Sequence, residues 1–272
     1  MRIGGSVVLV TGASSGIGAA TARRLAEQGA QLIVHGRDRA RLQQVAERTG
    51  GVVVAADLAD DGGPEELARR ALAVHGHLDA VVHSAGIGWS GRLEQMPAAT
   101  ADELLEVDLA APVALTRLLL PELLRRGRGH LCFVSSIAGR TGVSGEAVYA
   151  AAKAGVDAFA ECLRLEVAGS GLAVSVVVPG AVDTPFFEGR GRPYDRRIPK
   201  QQSADAVAGA VLRCLETGRA EVFVPGWLRV AQMVRGTAPS LFRRLNGRFG
   251  ERLPAPRTGA AGRSPSGREE RG

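Results

Sequence analysis

The stretch that narrows the possible folds most is a short apolar run, Val7-Val8-Leu9-Val10. It is followed at once by Thr11-Gly12-Ala13-Ser14-Ser15-Gly16-Ile17-Gly18 and by a helical pattern over Ala19 to Gln28 that Gly29 ends. A run that is apolar at every position suits a strand buried on both faces of a parallel sheet. Glycines at the turn let backbone N–H groups approach a pyrophosphate, and the dipole of the following helix favours negative charge there. Glycine-rich loops are common. It is the strand before and the helix after that make Gly12, Ser14, Ser15, Gly16, Ile17 and Gly18 candidates for holding a dinucleotide.

The alternation continues. A second run, Gln31 to His35, leads into Gly36-Arg37, and a helix is expected from Asp38 to Arg48. Where a dinucleotide fold holds NAD, an acidic side chain usually ends this strand and takes the ribose 2′-hydroxyl. Here that place falls on Gly36, with Arg37, Arg39 and Arg41 close by, a set suited to the 2′-phosphate of NADP. Arginine is also the favoured basic residue of this chain and Asp38 is adjacent; the balance favours NADP over NAD. The strand Val52 to Ala55 delivers Asp57 and Leu58, the carboxylate being able to accept from an adenine amino group or to cap a helix.

A helix over about Pro64 to His75 leads to the strand Ala80 to Val82 and to His83-Ser84-Ala85-Gly86, whose small residues leave room for a flat ligand. His83 has no orienting partner beside it in sequence and reads as structural. A long helix is expected from Asp102 to Leu124, a strand from His130 to Val134, a helix from Ala204 to Thr217 and a last strand from Glu221 to Val224. Such alternation implies an α/β fold, a Rossmann-like doubly wound parallel sheet flanked by helices in a single domain. Catalytic groups should gather at the carboxyl ends of the strands.

One of those ends is Ser135-Ser136, and thirteen residues after Ser136 comes Tyr149-Ala150-Ala151-Ala152-Lys153. On a helix the four-residue spacing puts the phenol and the ammonium on one face, a turn apart. A phenol with a reference pKa of roughly 10 shuttles protons poorly at neutral pH unless a nearby positive charge stabilises its anion. Lys153 can supply that charge. The bland alternative is an aromatic of the core or surface beside a solvated charge, but the chain has only two tyrosines and two lysines, and one of each meets here.

With 272 residues and 45% hydrophobic content the chain can bury a full core without staples. Cys132, Cys162 and Cys214 form no close pair and no metal spacing, so they read as small apolar residues in a reducing cytoplasm, and no metal is expected. The N-terminus resembles no secretory signal and no apolar stretch reaches the length of a membrane span. The net charge of +6 is misleading as a nucleic-acid signal: residues 226–272 hold ten arginines and three glutamates, while the other 225 residues hold 24 basic and 25 acidic side chains. The basicity belongs to a tail that lacks a groove-reading motif, and no nucleic-acid partner is expected. The boundaries that follow are 1–225 for the dinucleotide-binding and catalytic domain, 226–253 for an amphipathic basic extension, and 254–272 for a disordered tail rich in Pro, Gly, Ser and Arg. In the extension Leu241, Phe242, Leu245 and Phe249 share a helix face flanked by arginines. That face is expected to pack over the substrate mouth or a second subunit, with weak peripheral contact to an anionic membrane as the competing reading.

Thr11-Gly12 with Gly16-Ile17-Gly18, Asp57-Leu58, Ala85-Gly86, Ser136, Tyr149 with Lys153, and Pro179-Gly180 followed by Val182 and Thr184 occur in the order found in the short-chain dehydrogenase/reductase family, which this chain resembles to about Pro225. The resemblance implies that Tyr149 is the general acid or base and that Lys153 lowers its pKa and holds the nicotinamide ribose. It further implies that Ser136 bonds the substrate oxygen, and that Pro179 to Thr184 seats the nicotinamide, Thr184 reaching its carboxamide. The reaction implied is hydride transfer between NADP(H) and a carbonyl/secondary alcohol pair, in a homodimer or homotetramer; the alternative is a dinucleotide-binding regulatory protein without turnover. Two positions depart from the pattern. Asp108 stands where the family usually has an asparagine that holds a water against the lysine, and His83-Ser84 replaces a pair of asparagines. Pro185 to Ser203 is irregular in sequence and reads as a lid, with Phe186 and Phe187 shaping an apolar substrate pocket.

Overall fold

A computed structural model describes residues 1–194 and 200–249. The strands are β1 (Val7–Val10), β2 (Gln31–Gly36), β3 (Val52–Ala55), β4 (Ala80–His83), β5 (Gly129–Val134), β6 (Leu172–Pro179), β7 (Val182–Asp183), β8 (Gln202–Ser203) and β9 (Glu221–Val224). Between and after them run α1 (Gly16–Glu27), α2 (Arg39–Thr49), α3 (Gly63–His75), α4 (Ala98–Leu105), α5 (Ala111–Arg126), α6 (Ile137–Thr141) and α7 (Ala147–Glu166). The remaining helices are α8 (Phe186–Gly189), α9 (Ala204–Thr217), α10 (Leu228–Thr237) and α11 (Pro239–Phe249). Seven strands form one parallel sheet in the order β3-β2-β1-β4-β5-β6-β9, and β7 pairs with β8 apart from it. This is the single-domain, Rossmann-like doubly wound sheet that the alternation implies.

Both faces of the sheet are covered, which explains the unbroken apolar strands. Val7 and Leu9 pack with Leu67, Leu115, Leu119 and Leu163 on one side, while Val8 and Val10 pack with Leu25, Leu42, Val211 and Leu215 on the other. The side-chain alternation of β1 thus feeds two cores from four residues. The strand order reverses at β1 and β4, and a crevice opens beyond their carboxyl ends. Thr11 Oγ1 fixes its width by accepting from the N–H groups of Ser84 at 3.0 Å and Ala85 at 3.1 Å.

Three local readings need correction. The helix expected over Asp102 to Leu124 is not uniform: α4 passes into a π turn, Glu106–Ala110, before α5 begins. Pro112 accounts for it, because the residue with no N–H stands four after Asp108, and the ring crowds the carbonyl it cannot bond. The N–H of Ala111 reaches back to the Glu106 carbonyl instead, the five-residue spacing of a π turn. Second, Asp38 lies outside its helix and caps it, its side chain accepting from the N–H of Arg41 at 3.0 Å. Third, the segment after Pro185 carries the short helix α8 and the strand β8, so it is irregular only in part. The expected disordered tail, 254–272, lies outside the described residues.

Candidate active site

A cleft of about 610 Å³ runs along the carboxyl edge of the sheet; the candidate residues line it, except Arg39, which lies outside it. At one end are Gly12, Ser14, Ser15, Gly16, Ile17 and Gly18, beside Arg37, Asp57 and Leu58. Ala85, Gly86 and Asp108 form the middle, and Ser136, Tyr149, Lys153, Pro179, Gly180, Val182, Thr184, Phe186 and Phe187 close the far end.

The turn after β1 is built for close approach. A Cβ on Gly12 would stand 2.7 Å from the Ala85 Cα, and one on Gly18 would stand 2.2 Å from the Gly12 carbonyl oxygen. Gly16 takes a φ of +52°, which glycine adopts without strain. α1 starts at this turn with Ser15 in the cap position, no side-chain cap and no acidic residue in its first turn. Its first N–H groups and the positive end of its dipole are therefore available to an anion in the cleft. These observations fit a dinucleotide pyrophosphate.

The Arg37 end of the cleft is more crowded than the sequence implies. Arg37, half-exposed, lies 3.0 Å from Glu103 and 3.6 Å from Asp57, so its charge is shared with two carboxylates. Asp57 Oδ1 also accepts from the Ala59 N–H at 3.0 Å in a local turn; it caps no helix, since α3 begins after Gly62. Asp38 is engaged by α2 and by Arg41 at 3.2 Å, and Ser14 lies against the bare backbone of Gly36.

At the far end, α6 starts at Ser136, whose hydroxyl accepts from the Ala138 N–H at 3.1 Å. α7 carries Tyr149 and Lys153 on its buried face, and the ammonium lies 5.7 Å from the Tyr149 ring centroid. Lys153 Nζ is 3.0 Å from Asp108 Oδ2, an ion pair whose alignment falls short of a hydrogen bond, while Asp108 Oδ1 accepts from the Ile87 N–H at 2.7 Å. Each oxygen thus faces a donor, which fits a carboxylate against an ammonium. Burial pushes the Asp108 carboxyl above its ordinary range, against the pull of Lys153. Burial also disfavours the Lys153 charge, but Asp108 outweighs it and the ammonium pKa is raised. Gly86 has to be bare here, since a Cβ would stand 2.9 Å from Asp108 Oδ2.

The phenol corrects one expectation. Burial raises the Tyr149 pKa to about 12; Lys153 and a hydrogen bond with Ser136 pull it down, and Asp108 and Glu146 push it up. The lysine acts in the direction anticipated, but desolvation is larger and favours the neutral phenol. Asp108 enters this balance from within the π turn.

Phe186 stacks obliquely on Tyr149 with centroids 5.4 Å apart and meets Phe187 edge-on at 5.7 Å; Phe187 lies 5.1 Å from Tyr194. Among the lining residues with no sequence signal of their own, two are charged. Arg190 and Glu146 form a buried ion pair, with Arg190 also over the Phe187 ring at 4.4 Å. Neither belongs to a motif; position three before Tyr149 is the only signal Glu146 offers. His83 is structural, stacked on Phe133 at 4.6 Å and 3.2 Å from the Thr116 hydroxyl.

A parallel dinucleotide fold with a Ser-Tyr-Lys cluster at its switch crevice defines an oxidoreductase class. The family model described as short chain dehydrogenase matches residues 6–194. An uncharacterized oxidoreductase of Staphylococcus epidermidis is 34% identical over 207 residues, 75% of this chain and 90% of that protein. A short-chain dehydrogenase from Sphingobium yanoikuyae, solved in complex with NADPH, has a TM-score of 0.76 at 28% identity over 93% of this chain and 99% of its own. A metagenomic short-chain oxidoreductase in complex with NADP has a TM-score of 0.71 at 31% identity, covering 82% of this chain and 97% of that one. This chain belongs to the short-chain dehydrogenase/reductase family and is an NAD(P)-dependent oxidoreductase of that class.

Proposed function

We propose that the chain catalyses hydride transfer between NADP(H) and a carbonyl/secondary alcohol pair, with Tyr149 as the general acid or base. The observation that carries this reading is the buried phenol of Tyr149 with the Lys153 ammonium 5.7 Å from its ring, lining with Ser136 the end of a cleft that begins at the Gly12 to Gly18 turn. The reduced nicotinamide, when bound, supplies the hydride. Ser136 and Tyr149 hold the substrate oxygen by hydrogen bonds, and the phenol releases its proton to that oxygen as the alcohol forms. Lys153 compensates the phenolate left behind, while Asp108 fixes the ammonium from below and keeps it charged. Pro179 to Thr184 and the bare Gly86 shape the wall against which a flat ring lies.

NADP over NAD is supported by the missing carboxylate at the end of β2, by Arg37 and Arg41 in the cleft, and by the diversion of Asp38 to cap α2. Two similar solved proteins carry NADPH or NADP, in keeping with the same preference.

The test is a panel of ketones and alcohols with NADPH, NADH and their oxidised forms, followed at the nicotinamide absorbance. Ketone reduction with NADPH is expected to exceed that with NADH. Because the phenol pKa is raised, its proton-donating form persists through neutral pH. Reduction should be flat near neutrality and fall as pH rises toward that pKa, and alcohol oxidation should rise over the same range. Reduction that increases with pH contradicts the assignment.

A further inference from the structure

We infer that the helical hairpin of α10 and α11 is a docking face for an anionic lipid surface. Half of the ten large apolar side chains exposed among the described residues lie in it: Trp227, Val230, Met233, Leu241 and Leu245 are between 44% and 59% exposed. Trp227, Val230 and Met233 follow at three-residue steps and form one stripe along α10, and Leu241 and Leu245 lie a turn apart on α11. On α11, Leu241 and Leu245 are exposed within the single chain rather than packed over the cleft mouth.

The stripe is held in place. On the other side of α10, Leu228 is buried in the main core and sits against Gly180, where a Cβ would stand 2.9 Å from its Cδ1. Arg235 donates to the carbonyl of Arg140 in α6, the helix that starts at Ser136. The apolar stripe is thus a fixed surface next to the cleft.

Charge selects the occupant. Residues 226–249 carry no aspartate or glutamate, and Arg229, Arg243 and Arg244 are exposed there. A second copy related by a two-fold axis would set this basic face against itself, arginine facing arginine. An anionic bilayer satisfies both features: its interface takes the apolar side chains, with tryptophan at headgroup depth, and its surface potential attracts the arginines.

The test uses the full chain and vesicles of phosphatidylcholine with and without phosphatidylserine. Co-sedimentation is expected with the anionic vesicles, weakened at least about tenfold by added salt or by Arg243→Glu/Arg244→Glu, and by Val230→Glu/Met233→Glu. The emission of Trp227 should shift to the blue on anionic vesicles, and Trp227→Phe should remove the shift. Equal sedimentation of wild type and both double variants overturns the proposal, as does wild type left in the supernatant. A Val230→Glu/Met233→Glu variant that splits an oligomer in sedimentation velocity, with no vesicle binding by wild type, assigns the face to a second copy and overturns it as well. The binding readout does not depend on the reaction, so a failed activity screen leaves this test intact.

Discussion

The two ends of the cleft are built from different material. The dinucleotide end is mostly backbone: glycines at 12, 16 and 18, each placed where a Cβ meets a neighbour within 3.1 Å, and a helix terminus with no side-chain cap. The far end, proposed to take the substrate, is mostly side chain: Phe186, Phe187 and Tyr194 in a chain of ring contacts, closed by the Arg190–Glu146 pair. A backbone-defined site tolerates almost no change, because its geometry comes from the absence of atoms. A side-chain-defined site can be recut residue by residue, which suits the part that chooses a substrate.

The largest effect expected from this contrast is at Gly18. A Cβ there overlaps the Gly12 carbonyl, so Gly18→Ala should cost on the order of 1–3 kcal/mol of stability and weaken NADPH binding at least about tenfold. Thermal unfolding and a binding isotherm check it; an unchanged melting temperature with unchanged affinity breaks the claim that backbone shape rules this end.

This difference also decides what could be read from the sequence. The sheet, its order of strands and helices, and the cleft lining were readable because glycine, small residues and apolar runs carry their own geometry. The π turn was not read, although Pro112 sits four residues after Asp108 and leaves that carbonyl without its usual donor. The neutral state of Tyr149 was hidden as well, because spacing reports the lysine a turn away but not the burial that outweighs it. Arg190 and Glu146 lie 44 residues apart and meet only through the fold.

Arg37 is a side chain on the backbone-built half. Its shared pairing with Glu103 and Asp57 limits what it can give a 2′-phosphate, so Arg37→Ala should lower the NADPH-over-NADH preference by about tenfold rather than abolish binding. Steady-state kinetics with both nucleotides measures it, and an unaltered preference removes Arg37 from the assignment.

The smallest effect on the nucleotide end is expected from the substrate end. Phe186→Ala with Phe187→Ala should reorder the ketone panel by several-fold while NADPH affinity changes by less than about threefold. A large loss of NADPH affinity would erase the division of the cleft.

The proposed reaction turns on the Tyr149 phenol at the far end of the cleft. Single-turnover ketone reduction by Tyr149→Phe with NADPH already bound tests it most directly, since the ring and its packing on Phe186 remain and only the proton donor is gone. A loss of about a thousandfold with NADPH affinity preserved is the predicted result. Turnover close to that of the wild type would contradict the account.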